Sequence, residues 1–221
     1  MKKFIGTLLF VLASPAVSAA YILDFSGDIC TTATGVCGNG STISQDYGDI
    51  AGQLDVIYDA NRNTPAEQNL FWWGTGYETL TGVAYGTNGG GGLSILFKPE
   101  AGYEVSVTSF DIAPYANRSR DTFVEVIDIA TNSVLFTQSF SPLPTGMVTT
   151  LQSLMWTSLA GIQINLGPDS WDVGIDNIHY SVKPADLSEI PLPAAGWLLL
   201  SGLGMFGLVR RRLSNQDSQT V

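Results

Sequence analysis

Thr122-Phe123-Val124-Glu125-Val126-Ile127-Asp128-Ile129 is followed, after Ala130-Thr131-Asn132, by Ser133-Val134-Leu135-Phe136-Thr137-Gln138-Ser139-Phe140. Both runs are rich in β-branched and aromatic residues, and the side chains of a strand point alternately to its two faces. The short Thr131-Asn132-Ser133 connection between them reads as a tight hairpin turn. Working outward, similar runs occur at Tyr21–Phe25, Gln53–Tyr58, Leu80–Tyr85, Leu93–Lys98, Glu104–Ile112, Gly161–Leu166 and Gly174–Val182, separated by Gly, Asn, Pro and Asp. Many short strands with Gly-rich turns and few helical patterns predict an all-β domain, a jelly-roll-like β-sandwich over 20–183. The stretch from Asp59 to Gly76 is read as a loop, and no internal repeat is visible.

The two ends of the chain have a different character. Met1-Lys2-Lys3, the apolar run Phe4–Ala13 and the small residues Val17-Ser18-Ala19 read as a secretory signal peptide over 1–19, with cleavage after Ala19. At the other end, 184–189 is a polar linker, and Ala194 to Val209 are sixteen residues without a charge. A bilayer crossing takes about 20 apolar residues, so a single short transmembrane helix over 194–209 is expected. Arg210-Arg211-Arg212 then places 213–221 on the cytoplasmic side.

Ile190-Pro191-Leu192-Pro193-Ala194, then Gly196-Trp197 and a Leu-rich run ending in Arg210, Arg211 and Arg212, resembles the PEP-CTERM class of bacterial sorting signals. The variant it is most similar to is the VPLPA-CTERM type, with Ile190 standing where that pattern has Val. The tail after the arginines is longer than such signals usually carry. The resemblance spans 190–212 and implies processing by an exosortase in a Gram-negative bacterium that makes exopolysaccharide. It also implies membrane anchoring before processing, then release to the cell surface or extracellular matrix.

Charge and cysteines bound the exported part. The whole chain has a formal net charge of −10, and leaving out both ends leaves 5 basic and 19 acidic residues, near −14. Such a surface repels phosphate backbones, so nucleic acid is excluded as a partner, while neutral glycans and divalent cations remain compatible. Cys30 and Cys37, close together in an oxidising compartment, predict one local disulfide.

Two clusters are candidate sites. Phe71-Trp72-Trp73 with Tyr77 and Tyr85 is the densest aromatic group; three consecutive aromatics on a strand cannot all point inward, so Trp72, Trp73 and Tyr77 form a candidate platform for sugar rings. The alternative is that the same rings cover the core. Alternation puts Asp176 on the face of Ile178, Tyr180 and Val182, where a carboxylate needs a partner. Asp24, Asp172, Asp176 and the Asn177 carbonyl are candidate ligands for a structural Ca²⁺ if the first and last strands pair. The alternative is that Asp176 caps backbone amides.

Other motifs carry less. Asn88-Gly89-Gly90-Gly91-Gly92 lacks the Lys-Ser/Thr of a phosphate loop and reads as a hairpin turn, and Arg118 and Arg120 read as loop residues, solvated or paired with Asp121. His179 is the sole histidine, on the strand face opposite Asp176, and no GxSxG, HExxH or Cys–His arrangement occurs, so catalysis is not expected.

Leu23-Asp24-Phe25 near the start and Val173-Gly174-Ile175-Asp176-Asn177-Ile178 near the end resemble the galactose-binding or carbohydrate-binding-module jelly rolls of exported PEP-CTERM proteins. The resemblance implies that first and last strands pair. The expected role is structural or adhesive, through exopolysaccharide or other matrix proteins. The alternatives are a dedicated carbohydrate-binding module and, third, a surface glycosidase.

Overall fold

Two antiparallel sheets face each other across one core. The computed structural model describes residues 18–64, 68–88 and 91–185, within a unit that runs from Met1 to Ala185. Most of the signal peptide, residues 186–189 of the linker, and the whole sorting signal with its span and tail lie outside the described residues.

In chain order the strands are β1 (Ala19–Leu23), β2 (Ser41–Thr42), β3 (Leu54–Asp59), β4 (Phe71–Trp73), β5 (Val83–Tyr85) and β6 (Leu93–Pro99). They continue with β7 (Tyr103–Pro114), β8 (Thr122–Asp128), β9 (Ser133–Phe140), β10 (Thr149–Ser158), β11 (Ile162–Pro168) and β12 (Val173–Pro184). One sheet runs β10-β7-β12-β5-β4-β2, with β1 also paired to β12, and the other runs β3-β6-β11-β8-β9. Period-two patterning fills the space between them. Leu54, Val56 and Tyr58 of β3 and Val124 and Val126 of β8 are buried, while their neighbours along each strand are only half-buried. Phe97, Phe110, Ile112, Ile164 and Ile175 meet them in the same core. Truncating a core Phe of this kind to Ala typically costs about 3–5 kcal/mol.

The first and last strands pair antiparallel, from Ala19 opposite Val182 to Leu23 opposite Ile178. This ladder starts one residue inside the predicted signal peptide. At the other end, Pro184 still pairs with Tyr103, so β12 takes in the first residue of the predicted linker. Three strands were not foreseen. β2 is two residues long, β4 lies inside the predicted Asp59–Gly76 loop, and β10 is rich in Thr, Ser and Gln, with a register shift between Gln152 and Trp156.

β12 also corrects the predicted face of Asp176. Asp176 pairs with Asp111 and His179 with Ser109, so β12 spends one residue more than β7 over this step. Asn177 absorbs the bulge with φ of 50°, a left-handed conformation that Asn tolerates better than most residues. The extra residue inverts the phase of the strand. Val173 and Ile175 point to the core before it, and Ile178, Tyr180 and Val182 point to the core after it. Asp176 therefore faces away from the core with Asp111, yet is only 3 % exposed. Its Oδ1 accepts a hydrogen bond of 2.7 Å from the Asn177 backbone N–H. His179 is exposed.

The Cys30–Cys37 disulfide is formed, with an S–S distance of 2.06 Å. It sits beside β2, where the Thr31 N–H donates to the Thr42 carbonyl at 2.9 Å. Replacing both cysteines by Ala is expected to lower the unfolding free energy by about 2–3 kcal/mol, the chain-entropy value for so short a loop. Chemical denaturation of the oxidised and double-variant proteins checks this, and equal midpoints would refute it.

Asp176 makes stability depend on pH. Burial chiefly, and then the charges of Asp24 and Asp111, push its carboxyl up to about 7, against the opposing pull of the Asn177 N–H. An unfolded Asp titrates near 3.9. The folded chain therefore holds this proton more tightly, and the contribution is full below about pH 4 and lost as pH rises through about 7. Over that window the loss from this group is roughly 2–4 kcal/mol. Asp176→Asn should remove this descending component, leaving a flatter profile of denaturation midpoint against pH. A variant profile parallel to that of the wild type would overturn the assignment.

Candidate ligand-binding site

Alternation along β4 splits its three aromatic residues between the two faces of the sheet. Trp72 lies opposite Ala84 and packs on the main core, whereas Phe71 and Trp73 lie opposite Tyr85 and Val83 and belong to a second, smaller apolar cluster. The Trp72 indole N–H donates to the Phe25 carbonyl at 2.8 Å, and its ring lies 2.9 Å from where a Cβ on Gly74 would be. Trp72 is thus a wedge that secures the edge of the sandwich. Its predicted place in the ligand platform is corrected: Trp73 and Tyr77 share a site, and Trp72 faces away from it.

That site is a shallow cleft lined by Trp73, Tyr77, Tyr85, Tyr115, Trp171 and Asp172, with a volume of about 40 Å³. The rings support each other. Tyr115 stands edge-on to Trp73 at 5.7 Å and tilted against Tyr77 at 5.1 Å, and Trp171 stands edge-on to Tyr85 at 5.3 Å. Such contacts hold orientation as well as burying area. Tyr77 is the hub, 2 % exposed, with its hydroxyl donating to the Trp171 carbonyl at 2.8 Å. Gly174 makes room for it, since a Cβ there would come within 2.9 Å of the Tyr77 ring and 2.8 Å of Val83. Burial pushes the hydroxyls of Tyr77 and Tyr85 up, so both remain neutral donors.

The turn Tyr115–Asn117 and the segment before β12 are tied together. The Tyr115 N–H donates to the Asp172 carbonyl at 2.7 Å, and the Ala116 N–H to the Gly76 carbonyl at 2.7 Å. Trp171 is left 42 % exposed at the mouth of the cleft. Arg120 closes one rim through an ion pair between its Nη2 and Asp172, with Asp169 3.7 Å from its Nε. For Arg120 this replaces both expected alternatives, solvation and pairing with Asp121. The Asp172 N–H donates to Asp169 Oδ1 at 3.0 Å, which holds the two carboxylates on one guanidinium.

The candidate Ca²⁺ ligands are divided between two places. Asp172 belongs to the aromatic cleft, in the segment just before β12 and four residues ahead of Asp176. Asp24 interacts with Asp176 electrostatically, but its Oδ1 accepts from the Ser26 backbone at 3.1 Å, the Ser26 hydroxyl at 2.8 Å and the Tyr47 hydroxyl at 3.2 Å. The Asn177 amide donates to Asp111 Oδ2 at 3.0 Å. Among the described residues no group of three or more His, Cys, Asp or Glu is arranged to hold a metal ion. The glycine run before β6 only partly falls within the described residues.

Tyr115, Trp171 and Arg120 were not predicted as parts of one site. Tyr115 and Arg120 lie on the connection between β7 and β8 and Trp171 on the one before β12, and only the fold brings them to Trp73 and Tyr77; Tyr77 and Trp171 are 94 residues apart. The isolated Trp171 in a polar segment, Gly167-Pro168-Asp169-Ser170-Trp171-Asp172, was the one signal available in the sequence.

No protein-family model matches the chain, and no curated protein matches it. Among solved structures, the chain is similar to the family 32 carbohydrate-binding module of C. perfringens NanJ in complex with galactose, at 8 % identity over 57 % of this chain and 93 % of that one, TM-score 0.33. A mutant family 29 carbohydrate-binding module aligns at 17 % identity over 58 % and 89 %, TM-score 0.30. The family 11 module from Clostridium thermocellum, in complex with a β-1,3-1,4-mixed-linked tetrasaccharide, aligns at 11 % identity over 65 % and 96 %, TM-score 0.25.

Proposed function

We propose that the sandwich is a non-catalytic binding module that takes a neutral sugar residue against the aromatic cleft. The observation that carries this reading is Trp171, 42 % exposed beside a wall of interlocked Tyr and Trp rings. A pyranose has an apolar C–H face that stacks on such a ring and hydroxyls that need donors and acceptors around it. Asp172 and Arg120 supply both at the rim. The cleft is shallow and open to solvent, so the ligand lies against the wall. Two carboxylates balanced against one guanidinium leave the rim net negative, which disfavours acidic sugars.

Binding is favoured over hydrolysis by the same rim. Glycoside hydrolysis needs one carboxyl to donate a proton and a second to act at the opposite face. Here both carboxylates are held on the same side by one guanidinium, Arg120, and the exposed His179 lies elsewhere on β12. The sequence of the two ends places this module outside the cytoplasm, anchored by 194–209 until an exosortase-type enzyme acts at Ile190–Ala194. Its association with exopolysaccharide or other matrix proteins would follow from the cleft.

Isothermal titration against a panel of neutral polysaccharides tests the cleft. Trp171→Ala and Trp73→Ala should each weaken binding at least tenfold with little change in melting temperature, while Trp72→Ala should chiefly lower the melting temperature. Unchanged affinity in Trp171→Ala would sink the proposal. For the address, the mass of the mature protein from native cells should correspond to a chain ending near Pro193. A product that retains Arg210–Arg212 and pellets with membranes would refute the sorting reading.

A further inference from the structure

A sheet edge presents unpaired backbone N–H and C=O groups, and natural proteins protect long edges with charge, proline, bulges or brevity. Here the edges differ. β3 carries Asp55 and Asp59, β2 has two residues, and β10 is broken by its register shift. β1 is five residues long, with Gly48 closing against Leu23. β9 is the exception. It is eight residues long, its sequence SVLFTQSF holds no charge, proline or glycine, and none of its side chains is buried.

From Phe136 to Phe140 the strand pairs regularly with β8 on one side, and among the described residues no strand lies on the other. The one irregularity falls at Leu135, which has no opposite residue in β8. Just there the surface is apolar, with Val134 52 % and Leu135 37 % exposed. The rest of the chain is strongly anionic, with a formal net charge of −10, so two copies repel over most of their surface. β9 offers a strip where they do not.

We propose that two copies of this chain pair edge to edge through β9, antiparallel about Gln138. In that register Gln138 meets its twin, Thr137 meets Ser139, and Phe136 meets Phe140. A two-fold contact of this kind is self-complementary, and aromatic cross-strand pairs favour it. The contact joins two five-stranded sheets into one ten-stranded sheet. Its area is small, so association is weak and reversible. On a polymer with repeated sugars, two weak sites in one particle gain avidity without any new contact to the ligand.

Sedimentation of the unit ending at Ala185, over a wide concentration range, tests this. Wild type should pass reversibly from monomer to dimer. Gln138→Lys places like charges directly opposite and should weaken dimerisation at least tenfold. An equimolar mixture of Gln138→Lys and Gln138→Glu should dimerise again. Thr137→Lys combined with Ser139→Lys, both at exposed positions and opposite each other in this register, gives the same reading should the first variant melt early. A wild type that stays monomeric throughout leaves the edge for a foreign strand and overturns the proposal. Undiminished dimerisation of Gln138→Lys, or a mixture that stays monomeric, overturns it as well.

Discussion

β12 is hydrogen-bonded to β7 along one side, while its other side is shared between β1, from Ile178 to Val182, and β5, at Ile175. Between those two stretches lies the Asn177 bulge. It restores the inward phase of Ile178, Tyr180 and Val182 after Val173 and Ile175 have already been directed to the core. Without it, a strict two-residue period would send one half of the strand's apolar residues to the outer face. The consequence is a carboxylate, Asp176, that must be buried on the wrong side of the sheet. Its elevated pKa is the residue of that compromise.

The aromatic cleft depends on the same strand. Val173 and Gly174 begin β12, Trp171 and Asp172 lead into it, and Tyr77 lies over Gly174 where no side chain intervenes. The rings are therefore held by a segment paired at once to β7 and, one residue further on, to β5. Trp73 and Tyr85 belong to strands, and the connections that carry Tyr77, Tyr115 and Trp171 are tied to them by ring packing and to each other by backbone hydrogen bonds. Arg120 adds the polar rim from a different loop, and its two carboxylate partners fix it in place.

How much of this could be read from the sequence depends on where the period-two signal survives. Ser133–Phe140 coincides with β9, and the early pairing of Leu23 with Ile178 follows the expected adjacency of first and last strands. β4 was hidden because Phe71-Trp72-Trp73 shows no alternation of character; both of its faces are covered, one by the core and one by the aromatic cluster. β10 was hidden because Thr, Ser and Gln give no apolar pattern and the strand shifts register midway. Trp73 and Tyr77 could be singled out as a local cluster. Trp171, Tyr115 and Arg120 could not be joined to them, because a contact between loops leaves no mark on local composition. The face of Asp176 was misassigned because one extra residue reverses every later side chain, and nothing in Asp176-Asn177-Ile178 announces that residue except the tolerance of Asn for positive φ.

The antiparallel ladder between Ala19–Leu23 and the end of β12 also has a mechanical side. A pull applied at Pro184 runs along the axis of an interior strand. It loads the hydrogen bonds to β7 and β1 together, in shear, so that the strand cannot peel away one bond at a time. For a domain held by its C-terminal end, resistance to drag then rests on the rate of unfolding under load more than on equilibrium stability. An edge strand in the same position would have opened like a zip.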